Sequence, residues 1–151
     1  MTKKAFFKLL PIFALYFLVF FIFADNSLDY GDQRSYAQYA ENLSRGFYAP
    51  ADTLDFRNGP GYPLLLTPFA FLDVPWFWAK LLNPVFLFLS TCFLYVTLKH
   101  YMSEKTALIF AYLFCLYPPP YWDLRFLMTE PACFSTDNGV RPIYDKMVPY
   151  G

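Results

Sequence analysis

Acidic and basic side chains cluster in the polar segment that follows the first apolar run of the chain. Asp25, Asp29 and Asp32 stand close together there, and Arg57 lies in a turn rich in proline and glycine at residues 57–63. A carboxylate can take a proton from an attacking hydroxyl, and the forked donors of a guanidinium fit the oxygens of a phosphate. These residue types can serve an enzyme with a lipid-linked, phosphate-bearing substrate if the fold brings them together.

The composition is typical of a membrane protein. Apolar residues make up 57% and aromatic residues 23% of the 151 positions, which exceeds what a soluble core of this size uses. The net charge is zero, and the chain has no run of lysine and arginine and no glycine-rich phosphate loop. This argues against a nucleic-acid partner. The partner that the composition predicts is the lipid bilayer.

The first apolar run, about residues 5–24, predicts a membrane-spanning helix. About 20 residues, at about 1.5 Å each, cover the roughly 30 Å of the hydrocarbon core. Lys8 lies near enough to the end of the run to reach the membrane surface. A cleaved signal peptide is the alternative, but Ile22 and Ala24 do not match the small residues of a cleavage site.

Two further apolar runs predict a second and a third span, at about residues 77–98 and 103–117. Pro84 should kink the second helix, and Asn83 beside it can satisfy a freed backbone group. The third run is short for a crossing and stops at three consecutive prolines. Because irregular backbone at membrane depth needs protein or water around it, we expect this run to end in a cavity.

The distribution of lysine predicts the orientation of an integral membrane protein. Lysines precede the first span and separate the second from the third, so the positive-inside rule puts the N-terminus in the cytoplasm. The loop at residues 25–75 is then extracytoplasmic. The lysines concerned are Lys3, Lys4, Lys8, Lys99 and Lys105.

Two helices are predicted within the loop. Asp29 or Asp32 can cap a helix that runs to about Arg45. Its spacing predicts an apolar face on the membrane or on neighbouring spans. The residues of that face are Tyr36, Ala40, Leu43 and Phe47. A second helix should begin at Pro63 and cover residues 64–72, because proline suits the first helical position.

No metal-ligand spacing or disulfide framework is visible. His100, the single histidine, is separated from the acidic loop by the second span, and Cys92, Cys115 and Cys133 are far apart. The residues therefore indicate no certain cofactor, and a requirement for a divalent metal stays open.

Short segments in a fixed order along the chain resemble one enzyme class. The segments are Asp32-Gln33-Arg34-Ser35-Tyr36-Ala37, residues 40–46, Arg57 with residues 61–66, Tyr117-Pro118 and residues 127–131. Together they are similar to the N-terminal part of GT-C glycosyltransferases that use polyprenyl-phosphate sugars. The branch concerned contains protein O-mannosyltransferase-like enzymes and the aminoarabinose transferases of lipid A. The resemblance covers roughly residues 5–134.

The resemblance implies an all-α membrane protein and a sugar transfer on the extracytoplasmic side of a bacterial or archaeal plasma membrane. The donor would be a polyprenyl-phosphate sugar, and the acceptor a glycolipid, glycan or protein. Asp32 matches the family's catalytic base, although it can equally serve as a helix cap. Asp29 and Glu130 are the supporting acids, and many relatives have glutamate where this chain has Gln33.

For the donor phosphate, Arg57 is the candidate, and Arg34 and Arg45 are alternatives. In some relatives a basic residue directly precedes the proline of this turn, where the present chain has Gly59.

Members of the family are much longer than this chain. Relatives have several hundred residues and about ten or more spans, whereas residues 135–151 match no part of the family and cannot cross a bilayer. We therefore expect the chain to correspond to the first three spans and loop of a transferase, and to be catalytically silent alone. The alternative is a small non-catalytic membrane module, such as an assembly partner or a transporter fragment.

Overall fold

The computed structural model describes residues 3–49 and 59–127, which form α-helices and contain no β-strand. The helices are α1 Lys3–Phe23, α2 Gln33–Ser44, α3 Gly61–Phe71, α4 Trp76–Lys80, α5 Leu82–Tyr101, α6 Glu104–Cys115 and α7 Pro119–Asp123. The predicted all-α class is confirmed for these ranges. The predicted tail at 135–151 lies outside them.

Two helical segments are long and apolar enough to cross a membrane. They cover Phe6–Phe23 in α1 and Trp76–Tyr101 in α4 and α5, close to the predicted 5–24 and 77–98. Only 22% of the first segment is buried, so most of its apolar surface faces outward. The predicted third span, 103–117, corresponds to α6, whose 12 residues cover about 18 Å.

The break between α4 and α5 lies at Leu81, three residues before Pro84. Proline lacks the N–H that would bond to the carbonyl of Lys80, and its ring crowds that carbonyl. The predicted kink is thus confirmed. Asn83, however, satisfies backbone groups of another segment. Its Nδ2 donates to the carbonyls of Leu124, at 3.1 Å, and of Phe126, at 2.5 Å.

The main core lies between α1, α5 and α6. Leu9, Ile12 and Tyr16 recur at helical spacing along α1 and are almost fully buried. The small side chains of Ala107 and Ala111 let α6 approach closely. Inside this core the Tyr16 hydroxyl is paired with Thr91 Oγ1, at 3.2 Å, whereas the Tyr95 hydroxyl is buried without a hydrogen-bond partner.

One end of the bundle, which we call the lysine end, is closed by a shared carboxylate. Glu104 lies 2.7 Å from Lys8 Nζ and 3.5 Å from Lys99 Nζ. The prediction that these two lysines share one side of the bundle is confirmed. The opposite end, which we call the loop end, comprises residues 24–49, 59–75 and 116–127.

At the loop end α2 packs on α3. Tyr36 and Ala40 are buried as predicted, but Leu43 is half-buried and Phe47 is exposed. The predicted face was therefore wrong in its second half, because α2 ends at Ser44 and Phe47 follows it. Its remaining buried positions are Gln33, Ala37, Tyr39 and Asn42, and the face contacts α3.

The start of α3 was also predicted too late. The helix begins at Gly61, with Pro60 at the N-cap and Pro63 at the third position. The first four N–H groups of a helix have no partner within it, so a proline at the third position costs no hydrogen bond. Pro63 therefore correctly indicated the start of a helix, but it occupies the third helical position and not the first.

Candidate functional site

The proposed base, Asp32, stands at the N-cap of α2 with its side chain exposed. Its backbone carbonyl accepts the first helical hydrogen bond, from Tyr36, at 3.0 Å. The carboxylate itself makes no capping hydrogen bond, so the predicted capping role is wrong for this side chain. Within the described ranges no hydrogen bond or ion pair engages it either, so both oxygens are open to solvent.

Asp29, the first supporting acid, is held by an arginine. Arg34 Nη2 donates to Asp29 Oδ1 at 2.8 Å across the first turn of α2. Both side chains are more than 70% exposed, and exposed pairs of this kind contribute little to stability. A phosphate at Arg34 would therefore compete with Asp29.

Gln33 joins the beginning of α2 to a distant segment. Its side chain is fully buried. Its Nε2 donates to the Tyr30 carbonyl at 3.0 Å, and its Oε1 accepts from the Leu127 N–H at 2.8 Å. A glutamate here would lose the donor to Tyr30. Gln33 thus has a structural role.

An aromatic stack lies beside this hydrogen bond and contains a cation. The rings of Tyr30 and Phe126 stack with centroids 4.4 Å apart. The Arg125 guanidinium lies over the Trp122 ring at 3.9 Å and over the Phe126 ring at 4.6 Å. Such contacts stabilise a cation without neutralising it. Arg125 Nε is buried without a hydrogen-bond partner, and no described carboxylate forms an ion pair with Arg125.

A groove of about 280 Å³ opens next to Arg125, between the end of α1 and α7. Apart from Arg125 its walls are largely apolar. They are formed by Val19, Phe23, Pro118, Tyr121 and Trp122. It lies just beyond α6, at the point where the sequence predicted a cavity.

A buried lysine fixes the segment between α1 and α2. Lys80 is fully buried, and its Nζ donates to the carbonyls of Asp25, at 3.0 Å, and of Ser27, at 2.7 Å. The ammonium also lies 3.5 Å from Asp25 Oδ1. The Ser27 hydroxyl and N–H donate to the Asp25 carboxylate, and together with Lys80 they hold the pKa of Asp25 below its ordinary 3.8.

A second groove, of about 330 Å³, lies between the end of α2 and α3. Glu41, Arg45 and Asp73 are among its lining residues, so it is charged. It faces the last turn of α2, whereas Asp32 precedes the first turn. The 12 residues of that helix separate the two by about 18 Å. Arg45 therefore does not join Asp32 in one site.

Two of the predicted site residues, Arg57 and Glu130, lie outside the described ranges. Lys80 and Arg125 were missed by the sequence reasoning, although Lys80 carried a signal. It interrupts an apolar run, and an ionisable residue inside a span is a functional candidate by default. Arg125 carried no comparable signal, since it stands in an irregular aromatic segment.

No group of three histidine, cysteine or acidic side chains that could hold a metal ion occurs among the residues that the structure describes. Comparison of the chain with protein-family models, curated proteins and solved structures found no match.

Proposed function

We propose that the chain forms the donor-binding, extracytoplasmic end of a GT-C-type glycosyltransferase. The enzyme would move a sugar from a polyprenyl-phosphate donor to an acceptor hydroxyl, with α1, the α4–α5 segment and α6 as its first three membrane helices. Asp32 would be the base. The lysine end would face the cytoplasm, and the loop end the opposite side.

The observation that carries the proposal is the hydrogen bond from the Leu127 N–H to Gln33 Oε1. The two partners are 94 positions apart in sequence. Each belongs to a different segment of the family resemblance, residues 32–37 and residues 127–131. A chance resemblance of short segments gives no reason for them to meet, whereas an active site built from both requires it.

The state of the Asp32 carboxylate also supports the proposal. A general base needs a lone pair that can reach the acceptor hydroxyl. The carboxylate is exposed and makes no cap hydrogen bond, so it is available for this role. The acid beside it, Asp29, is neutralised by Arg34. This arrangement leaves Asp32 as the available carboxylate at the start of α2.

The test uses a chimaera in which residues 1–134 replace the matching part of an active polyprenyl-phosphate-sugar transferase. Asp32→Asn should lower turnover at least about a hundredfold, the scale of losing a general base. Glu41→Gln is the matched control, because Glu41 is an exposed acid on the same helix.

Two results would count against the proposal. An active chimaera whose turnover is unchanged by Asp32→Asn would remove Asp32 from the chemistry. A chimaera that folds, inserts and fails to transfer sugar with every donor tested would favour the alternative of a non-catalytic membrane module.

A further inference from the structure

We propose that Arg125 and the apolar groove beside it bind the phosphate and the first isoprene units of a single-chain polyprenyl phosphate. This inference rests on the proposed function, and it names the donor site for which the sequence offered Arg57. The ligand would enter from the lipid along α1 with its phosphate at the loop end.

The first argument is charge. Arg125 makes no ion pair within the described ranges, its Nε is a buried donor without an acceptor, and its guanidinium lies over the rings of Trp122 and Phe126. Lys80 is near enough for the two positive charges to repel each other. Asp25 is the carboxylate that faces Lys80, and it forms no ion pair with Arg125 within the described ranges. A phosphate would supply both the negative charge and the hydrogen-bond acceptor that Arg125 lacks.

The second argument is the position of the apolar walls. Val19 and Phe23 belong to the last turns of α1, one of the two helices able to cross a membrane. Phe23 is 59% exposed, so a lipid chain running along α1 can reach the groove directly. A ligand bound there would have its chain on apolar side chains and its charged head at Arg125.

The third argument is size and shape. A volume of about 280 Å³ holds about nine groups of the size of a water molecule, at about 30 Å³ each. This corresponds to about two five-carbon isoprene units of a single chain. The flat alkene groups of an isoprenoid can lie against the rings of Tyr121 and Trp122. A volume of this size is filled by one such chain and leaves no room for two acyl chains side by side.

The experiment measures the binding of radiolabelled geranylgeranyl phosphate to the 151-residue chain in detergent micelles. Arg125→Gln should weaken binding at least tenfold, and Arg125→Lys should restore part of the loss. The matched control is Arg45→Gln, which removes the same charge from an exposed position at the second groove. It should stay within twofold of the wild type.

A groove-filling variant, Val19→Trp, tests the apolar part separately. It should weaken binding of both geranylgeranyl phosphate and its alcohol, geranylgeraniol, whereas Arg125→Gln should affect the phosphate alone. Because the two variants change opposite ends of the site, misfolding of one does not remove the test. The unfolding temperature of each variant shows which binding data are valid.

Three outcomes would overturn the inference. The first two are absence of geranylgeranyl phosphate binding by the wild type, and equal binding by the wild type and Arg125→Gln. The third is that dioleoyl phosphatidic acid competes as well as unlabelled geranylgeranyl phosphate, which would indicate a general site for anionic lipids. Sugar transfer is not the readout here. A chimaera that transfers sugar equally well with Arg125→Gln would refute this site and leave the proposed function standing. Binding of geranylgeranyl phosphate by the chain, without sugar transfer by the chimaera, would support this site and count against the proposed function.

Discussion

Replacing Gln33 by alanine should destabilise the loop end selectively. The change removes the donor for the Tyr30 carbonyl and the acceptor for the Leu127 N–H. Leu127 is fully buried, so water cannot replace its lost partner. The unpaired Leu127 N–H costs about 1–3 kcal/mol, and loss of the hydrogen bond to the half-exposed Tyr30 costs about 0.5–1.5 kcal/mol, so the free energy of unfolding falls by about 1.5–4.5 kcal/mol.

The matched control is Gln38→Ala. Gln38 lies on the same helix but is exposed, so its loss should change the free energy of unfolding by less than about 0.5 kcal/mol. The assay follows the reaction of a thiol-specific dye during heating in detergent. Cys92 and Cys115 are buried in the core and react only on unfolding, and Cys133→Ser removes the remaining thiol. Each kcal/mol shifts the midpoint by about 2–4 °C, so Gln33→Ala should lower it by about 10 °C.

A local measurement separates this mechanism from general destabilisation. Hydrogen exchange at the Leu127 amide should accelerate more than tenfold in Gln33→Ala, because the bond that protects this amide is absent. Exchange within α5 and α6 should change less. If Gln33→Ala and Gln38→Ala were equally stable and the Leu127 amide stayed protected, the reasoning about the Gln33 hydrogen bonds would be refuted.

Three other predictions concern different parts of the molecule. A membrane-impermeant thiol reagent should label Gln38→Cys and not Ser103→Cys in intact cells; the opposite pattern would reverse the orientation. The lowered pKa of Asp25 stabilises the fold above the ordinary 3.8 and is lost as the pH falls through the folded value. Wild-type unfolding midpoints should therefore drop more steeply on acidification than those of Asp25→Asn, and parallel slopes would contradict this. Lys80→Met should cost about 2–4 kcal/mol in thermal unfolding, because two backbone carbonyls lose their donor. Lys105→Met, at an exposed position, should cost less than about 0.5 kcal/mol, and equal losses would refute the role of Lys80.

The sequence predicted the helices because their signals are local. The length of an apolar run located α1 and the α4–α5 segment, and Pro84 located the break between them, since a proline disturbs the turn that precedes it. The ends of the predicted helices were less accurate. The first turn of a helix tolerates proline at several positions, so the start of α3 could not be read from Pro63 alone.

The candidate site was predicted only in part because its contacts are not local. Asp32 was recognised from a motif, but the role of Gln33 depends on Leu127, and that of Asn83 on the segment that follows α7. No periodicity links such partners. Arg125 could be recognised only from the absence of an acceptor around it, which requires the positions of its neighbours.

The loop end is closed by bonds of very different span, and this sets an order for its assembly during synthesis. Lys80 bonds to Asp25, which lies 55 positions before it, and this bond can form first because Lys80 is synthesised before the other late partners. Leu124, the partner of Asn83, is synthesised 41 positions after it, and Leu127, the partner of Gln33, is synthesised 94 positions after it. At about 5–20 residues per second, α2 is made roughly 5–20 s before its last partner. During that interval its buried face packs on α3 and the start of the α4–α5 segment without the bond to Leu127, so we expect the nascent chain to be most vulnerable to proteolysis and mispairing there.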